Sequence, residues 1–382
     1  MHILKKQQCS VVLVMIIALG AGGSALSREQ SLATTRSSIR TTQTPAGLTT
    51  SAGAAPTTQV TPRDPKDLLL AAEQVNGLGA PGLKPWHILV SYERFDEDGD
   101  NVDSGTYEEF WAGDKQYKVS YRSHDFTQTD IATEKGLFRT GEAKWPGELQ
   151  IRVRDEFVRP MFREMDLQDA KLEKKMREFG AVQLTCVLLR ANGGRVMISP
   201  IGAVPGFCFE PDSLMLRYSK GGMSALTTWE QTAYDKIVRF QGRYIAGDVR
   251  VAQGGKANIK MHLDKLEVIR QPSEADFTTP PNAVAVNEEL VRLDGRVLLL
   301  DYELHREMPH YPKSIHAPGG AATMKFVIGK DGRVKEMEFI EGTSEMQKGL
   351  EESLKKFVYR PFLVRGEPVE VEVKQKFIYE IH

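Results

Sequence analysis

The sequence predicts an α+β protein. A mostly antiparallel, curved β-sheet or half-barrel with inserted helices leads, and a small hairpin/helix/strand module follows. Three observations point there. Short apolar-alternating runs bounded by Gly, Asn and Asp recur between about residues 86 and 269 of the 382. A charged segment, Pro146–Phe179, interrupts them with Met161, Met165, Leu167, Leu172 and Met176 at helical spacings, predicting one or two amphipathic helices. Residues 308–382 then give one hairpin, one amphipathic helix and one long alternating strand.

Residues 1–27 have the layout of a secretory signal peptide. Lys5 and Lys6 precede the apolar run Val11–Leu19, and small residues follow up to a cleavage site at Ser24-Ala25-Leu26-Ser27. The run is short for a spanning helix, which needs about 20 apolar residues. The expected location is therefore the periplasm after cleavage, with retention as an inner-membrane anchor as the alternative. Residues 28–63, rich in Ser, Thr, Ala, Gln and Pro, cannot bury enough surface to offset chain entropy and are expected to be a disordered tether. The formal net charge of -1 gives no support to a nucleic-acid partner. Cys186 and Cys208 form the even pair expected to be bonded in an oxidising compartment, against the alternative of two buried thiols.

The large domain is expected over 64–282. A helix at Asp67–Glu73 ends near Gly77. Strands are predicted at His87–Phe95, Tyr107–Trp111, Gln116–Tyr121, Asp125–Thr133 and Glu134–Arg139. After the helical segment, strands resume at Val182–Leu189, Val196–Ser199, Gly206–Glu210, Ser213–Tyr218, Leu226–Ala233, Ile237–Phe240, Arg243–Gln253 and Ala257–Ile269. Hairpin loops are expected at Ser219–Gly222 and Gln253–Lys256. Pro280-Pro281 marks a boundary, and residues 283–307 are transitional, with Val297–Leu300 expected to pair with a flanking sheet.

In the final module, Tyr311-Pro312 opens a helical turn. The strand Ala321–Ile328 and the strand Arg333–Ile340 flank the turn Gly329-Lys330-Asp331-Gly332, read as a type I′ hairpin. Ser344 is expected to cap a helix with Gln347, and Met346, Leu350, Leu354, Phe357 and Val358 form its apolar stripe. The last strand alternates Val369, Val371, Val373 and Phe377 with Glu370, Glu372, Lys374 and Lys376. This order, with Tyr311-Pro312, Gly320, Met324–Ile328, Asp331–Val334, Tyr359-Arg360-Pro361-Phe362 and Gly366-Glu367-Pro368-Val369, resembles the C-terminal domain of TonB-family proteins. The resemblance implies a periplasmic module that pairs with an extended segment of an outer-membrane transporter or similar protein by strand addition. The candidate edge is Val369, Glu370, Val371, Glu372, Val373, Lys374, Gln375, Lys376 and Phe377, which also offers a route to a homodimer. The chain departs from an energy transducer of that family: its apolar N-terminal run carries no His or acid, and a β domain replaces the Pro-rich spacer.

The segment Phe240-Gln241-Gly242-Arg243 through Leu266-Glu267-Val268 is similar to the curved sheets of periplasmic lipoprotein carriers, which implies a concave face able to hold acyl chains. The leading function is thus protein interaction at the cell envelope. The alternatives are a carrier of a lipid or other apolar ligand, and a membrane-anchored transducer.

Motifs for other chemistry fail. Asp96-x-Asp98-x-Asp100 has Asn101 where a calcium loop needs Gly and Tyr107 where it needs Glu. Ser353-x-x-Lys356 lacks the companion Lys-Thr-Gly. His305, His310 and His316 have no ligand spacing, so no metal, no cofactor and no enzymatic activity are expected.

Overall fold

A computed structural model describes residues 11–13, 62–79, 81–161, 170–179, 181–191, 206–221, 230–295, 302–305 and 319–381. Helix α1 (Pro65–Val75) starts at Asp64, whose side chain accepts from the backbone N–H groups of Lys66 and Asp67, and Pro65 opens it where no N–H is needed. Strands β1 (Trp86–Phe95), β2 (Asn101–Gly113), β3 (Gln116–Ser123), β4 (Thr127–Thr133) and β5 (Gly136–Gly141) form an antiparallel meander. Helix α2 (Glu148–Val158) follows. Strands β6 (Ala170–Phe179), β7 (Val182–Ala191), β8 (Gly206–Phe209), β9 (Leu216–Gly221), β10 (Glu230–Asp235), β11 (Asp248–Gln253) and β12 (Lys256–Val268) complete the large sheet. Its order is β5-β4-β3-β2-β1-β12-β11-β10-β9-β8-β7-β6, with β13 (Val284–Ala285) added beside β5.

Period-two burial gives this open, curved sheet one apolar inner face. Trp86, Ile88, Val90 and Tyr92 of β1 point into it, as do Tyr107, Tyr121, Phe209, Val249 and Met261. Two helices cover that face: Leu68, Leu69 and Ala72 from α1, and Val153, Phe157 and Val158 from α2. The outer face near the β6 end carries a smaller cluster around Leu184, with the Cys186–Cys208 disulfide joining directly opposed residues of β7 and β8.

The second sheet is built on β14 (Leu290–Asp294), β15 (Gly319–Ile328), β16 (Val334–Glu341), helix α3 (Ser344–Leu354), β17 (Phe362–Val364) and β18 (Glu367–Ile381). Its core holds Met324, Phe326, Leu350, Leu354, Phe357, Val371, Val373 and Phe377. Ala132 and Leu137, from β4 and β5 of the large sheet, belong to the same core. The segment between the sheets is a shared strap: β13 pairs with β5, and β14 pairs with β18. Arg365 clamps the strap. Its guanidinium binds Glu288 at 3.1 Å and donates to the Thr133 carbonyl at 2.6 Å, while Glu288 accepts the Leu137 N–H at 2.7 Å.

Several expectations are corrected. The last strand is not a free edge: antiparallel β15 flanks it, and β14 pairs in parallel from Leu290↔Glu370 to Asp294↔Lys374 on the other side. An extended segment of this chain therefore lies beside Glu370–Lys374, and a further strand, Val11–Leu13, pairs with Tyr379–Ile381. Residues 170–179 form a strand and not a helix: Leu172 packs inward while Met176 stands 55% exposed, so their spacing of four reflects no shared helical face. Ser219–Gly221 are strand residues between β8 and β10 and not a hairpin loop. The β15–β16 turn has positive φ at Gly332 but not at Asp331, whose carboxylate instead accepts from the Arg333 N–H at 3.0 Å; it is not type I′. Thr343, one residue before Ser344, caps α3 by accepting from the Met346 N–H. Val196–Ser199, Met165, Leu167, Val297–Leu300, Tyr311-Pro312, His310, His316, residues 28–61 of the tether and the rest of the signal segment lie outside the described residues. No helix among the described residues is long and apolar enough to cross a membrane.

The disulfide spans 22 residues of sequence, and in the chain-entropy account such a closed loop is worth about 3 kcal/mol. Replacing both Cys186 and Cys208 by Ala is expected to lower unfolding free energy by that amount in urea titration. A change below about 1 kcal/mol would show that the hairpin is held without the bond.

Candidate functional site

The inner face of the large sheet and the helix lying on it form the candidate site. Helix α2 sits between two bodies. Leu149, Val153 and Phe157 recur every four residues and meet the large core, whereas Ile151 packs against the core of the second sheet. Trp145, just before the helix, lies under the Arg139 guanidinium (4.5 Å to the ring) and edge-on to Phe362 (5.7 Å). Arg139 is itself fixed by a bidentate pair with Asp130, at 2.6 and 2.7 Å.

Between α2 and the sheet lie buried charges. Glu109, on β2, is fully buried on the same face as Tyr107. It receives Arg154 through two bonds, Nε at 2.7 Å and Nη2 at 3.0 Å, and a short hydrogen bond from the Tyr107 hydroxyl. Burial and the adjacent Glu109 carboxylate push the Tyr107 phenol well above its ordinary range. Burial works against the Arg154 cation, but the Glu109 carboxylate more than offsets it and holds the guanidinium charged. Two residues on, Glu156 accepts the Tyr234 hydroxyl at 2.6 Å and pairs with Arg152 Nε at 2.7 Å. Arg152 also reaches Glu230 of β10. Burial raises the Glu156 carboxyl, against the opposing pull of Arg152 and Tyr234.

Beside Glu156 a cleft of about 240 Å³ of empty space opens between α2 and the sheet, lined by Phe157, Leu216, Tyr234, Tyr244 and Ile245 among others. Its enclosed part has room for about one water. The arrangement is therefore a packed apolar core with a small cleft beside Glu156, covered by a helix that is attached by directed polar contacts. Among the described residues no cluster of His, Cys, Asp and Glu is placed to hold a metal ion.

The residues expected to bind a partner, Val369–Phe377, are not in this site; they form the middle of the second sheet. The bonded cysteines lie on the opposite face of the large sheet. Glu109, Arg154, Glu156 and Tyr234 were not singled out by sequence. The one signal available was Glu109 at an inward position between Tyr107 and Trp111.

No family model and no curated protein matches the chain, so the TonB-like reading of residues 308–382 stays with the residues that suggested it. Solved structures are similar to part of the chain. A LolA superfamily protein from Nitrosomonas europaea is 9% identical, covering 56% of this chain and 97% of its own, with a TM-score of 0.37. A DUF1329 family protein from Desulfovibrio piger gives 10% identity, 56% and 95% coverage, and a TM-score of 0.38. A putative outer membrane lipoprotein-sorting protein domain from Vibrio parahaemolyticus gives 8%, 56%, 95% and 0.36. Each is a partial likeness over about half of this chain.

Truncating one member of a buried pair leaves the other uncompensated. Arg154→Ala is expected to cost about 3–5 kcal/mol, and adding Glu109→Leu should recover much of it. Equal losses in single and double variants would refute a paired role. For Glu156 the raised folded value means that the native state binds the proton more tightly than the unfolded chain. Stability from this group is therefore greatest at low pH and falls as pH rises from the ordinary carboxylate range through the raised value. Glu156→Gln should thus be more favourable relative to wild type at about pH 8 than at about pH 5, as read by thermal melts.

Proposed function

We propose that this chain is a non-catalytic carrier of an acyl-bearing or other apolar ligand in the cell envelope, binding it between the large sheet and α2. The observation that carries this reading is the polar attachment of α2 inside an apolar core. A structural helix would gain as much from apolar contacts, since buried ion pairs rarely exceed their hydrophobic replacements in stability. What Arg154–Glu109 and Glu156–Tyr234 add is a discrete latch that can open and re-form in one geometry. Opening exposes the face lined by Trp86, Tyr107, Tyr121 and Phe209, which a ligand chain would cover. The signal-peptide layout and the disulfide support an exported, periplasmic protein. On this reading the TonB-like module docks the loaded carrier to an envelope protein. Its outer strand β16, which pairs with β15 alone among the described residues, supplies the edge.

Mass spectrometry of an organic extract from the purified protein tests the reading. Stoichiometric acyl-bearing molecules are expected, together with uptake of a fluorescent fatty acid after delipidation. Tyr234→Phe removes one latch bond and should raise the rate of uptake severalfold. A protein that yields no lipid and takes up no probe, in either form, would end the carrier reading and leave the protein-docking one. A full-length species recovered from the inner-membrane fraction would instead favour the anchored transducer.

A further inference from the structure

At one end of the inner face of the large sheet the apolar pattern breaks. Tyr92 of β1 opposes Gly105 of β2, which opposes Ser123 of β3. Asp103 and Gln128 stand on the same face, in the rows to either side. Gly105 has no side chain, and a Cβ there would stand 2.6 Å from the Tyr92 hydroxyl, so the tyrosine lies across β2. Tyr92, Gln128 and Asp103 are 2%, 1% and 8% exposed.

The buried atoms Tyr92 Oη, Asp103 Oδ1, Ser123 Oγ and Gln128 Oε1 have no hydrogen-bond partner in the protein. Such groups oppose folding unless something else satisfies them. Their chemistry is one-sided. The Gln128 amide nitrogen donates to the carbonyls of Glu142 at 2.6 Å and Lys144 at 2.7 Å, which spends its donors and leaves the oxygen to accept. Asp103 offers a carboxylate oxygen; Arg94 opposes it in the register but is exposed and makes no ion pair with it. The two hydroxyls can each accept as well as donate. Burial first, and then the Asp103 carboxylate, raises the Tyr92 phenol against the opposing effect of Ser123, which keeps the phenol protonated.

Helix α2 passes over these groups. Gln150, in its first turn, lies beside the Tyr92 hydroxyl, and Glu156 near its other end holds Tyr234. Along β1 the inward residues after the polar row are Val90, Ile88 and Trp86, an apolar track of about 20 Å. A ligand laid on this track beneath a lifted α2 meets apolar wall along its length and acceptors at one end.

We infer that Tyr92, Asp103, Ser123 and Gln128 form a head-group subsite. It selects an apolar ligand whose polar end carries O–H or N–H donors over one that ends in a carboxylate or phosphate. The inference rests on the carrier reading and adds the class of head group to it. Asp103 repels an anionic end, while a hydroxylated or amino end satisfies the acceptors that the fold leaves unpaired.

Displacement of a fluorescent fatty acid from the delipidated protein tests this, with monomyristoylglycerol and myristate as competitors at about pH 9. Monomyristoylglycerol is expected to displace the probe at about tenfold lower concentration than myristate. Combining Tyr92→Phe, Ser123→Ala and Asp103→Asn should bring the two competitors within about twofold of each other. The melting temperature of the free variant should hold or rise, because the groups removed have no partner in the protein to lose. Equal displacement by both competitors in wild type would overturn the inference and leave the carrier reading standing. So would a preference that survives the triple variant, and a lowered melting temperature with the preference unchanged would mark the groups as a structural polar network. A protein that takes up no probe at all would end the carrier reading and this inference together.

Discussion

The inner face of the large sheet must be kept from water, and this requirement organises the rest of the molecule. An open sheet of this breadth presents more apolar surface than one helix can cover. Two helices of 11 residues each share the task, and neither is long enough to be stable alone. Helix α1 is held by apolar contact and a capped start. Helix α2 is held differently, by apolar contact on one flank, charges beneath it and the second sheet on its other flank. The position of the second sheet follows from this, as does the density of aromatic and ionic contacts around Trp145, Arg139 and Phe362.

The second sheet is thereby part of the same body. Its core takes residues from β4 and β5, its long strand takes β14 as a neighbour, and Arg365 ties its turn to the strap. A module that would have a free edge if it stood alone has that edge filled by the chain that leads into it. Displacing β14 from β18 would require releasing Glu288 from both Arg365 and the Leu137 amide.

Much of the fold was legible in the sequence because the sheet faces differ so sharply. Trp86, Ile88 and Val90 alternate with His87, Leu89 and Ser91, and hairpins such as Gln253–Lys256 announce themselves through glycine. Where legibility failed, the cause was local ambiguity resolved by distant contacts. Leu172 and Met176 stand four apart in a charged segment, a helical signature, yet pairing with Val182–Ala191 decides in favour of a strand. The long C-terminal strand has the pattern of a half-buried edge, but whether a neighbour fills that edge depends on residues 80 positions away, which no periodicity encodes. The site was harder still. Arg154 and Glu156 sit in a run of charges that reads as a wet helix face, and their burial against Glu109 and Tyr234 comes from the bend of the sheet around them. The disulfide was readable because only two cysteines follow the apolar N-terminal run.

The strap has a consequence for how such a protein can be inherited and recombined. Residues 284–294 belong to both sheets at once, so the C-terminal module is not a portable cassette in the way its sequence boundary suggests. A chain severed near Pro280-Pro281 would leave β5 without its outer neighbour. One severed after Asp294 would leave β18 with an exposed flank, a template on which the strap of a second molecule fits in the same parallel register. Exchange of straps between two copies would then rebuild both junctions without a new contact. The same eleven residues that make one molecule rigid thus hold the geometry for joining two.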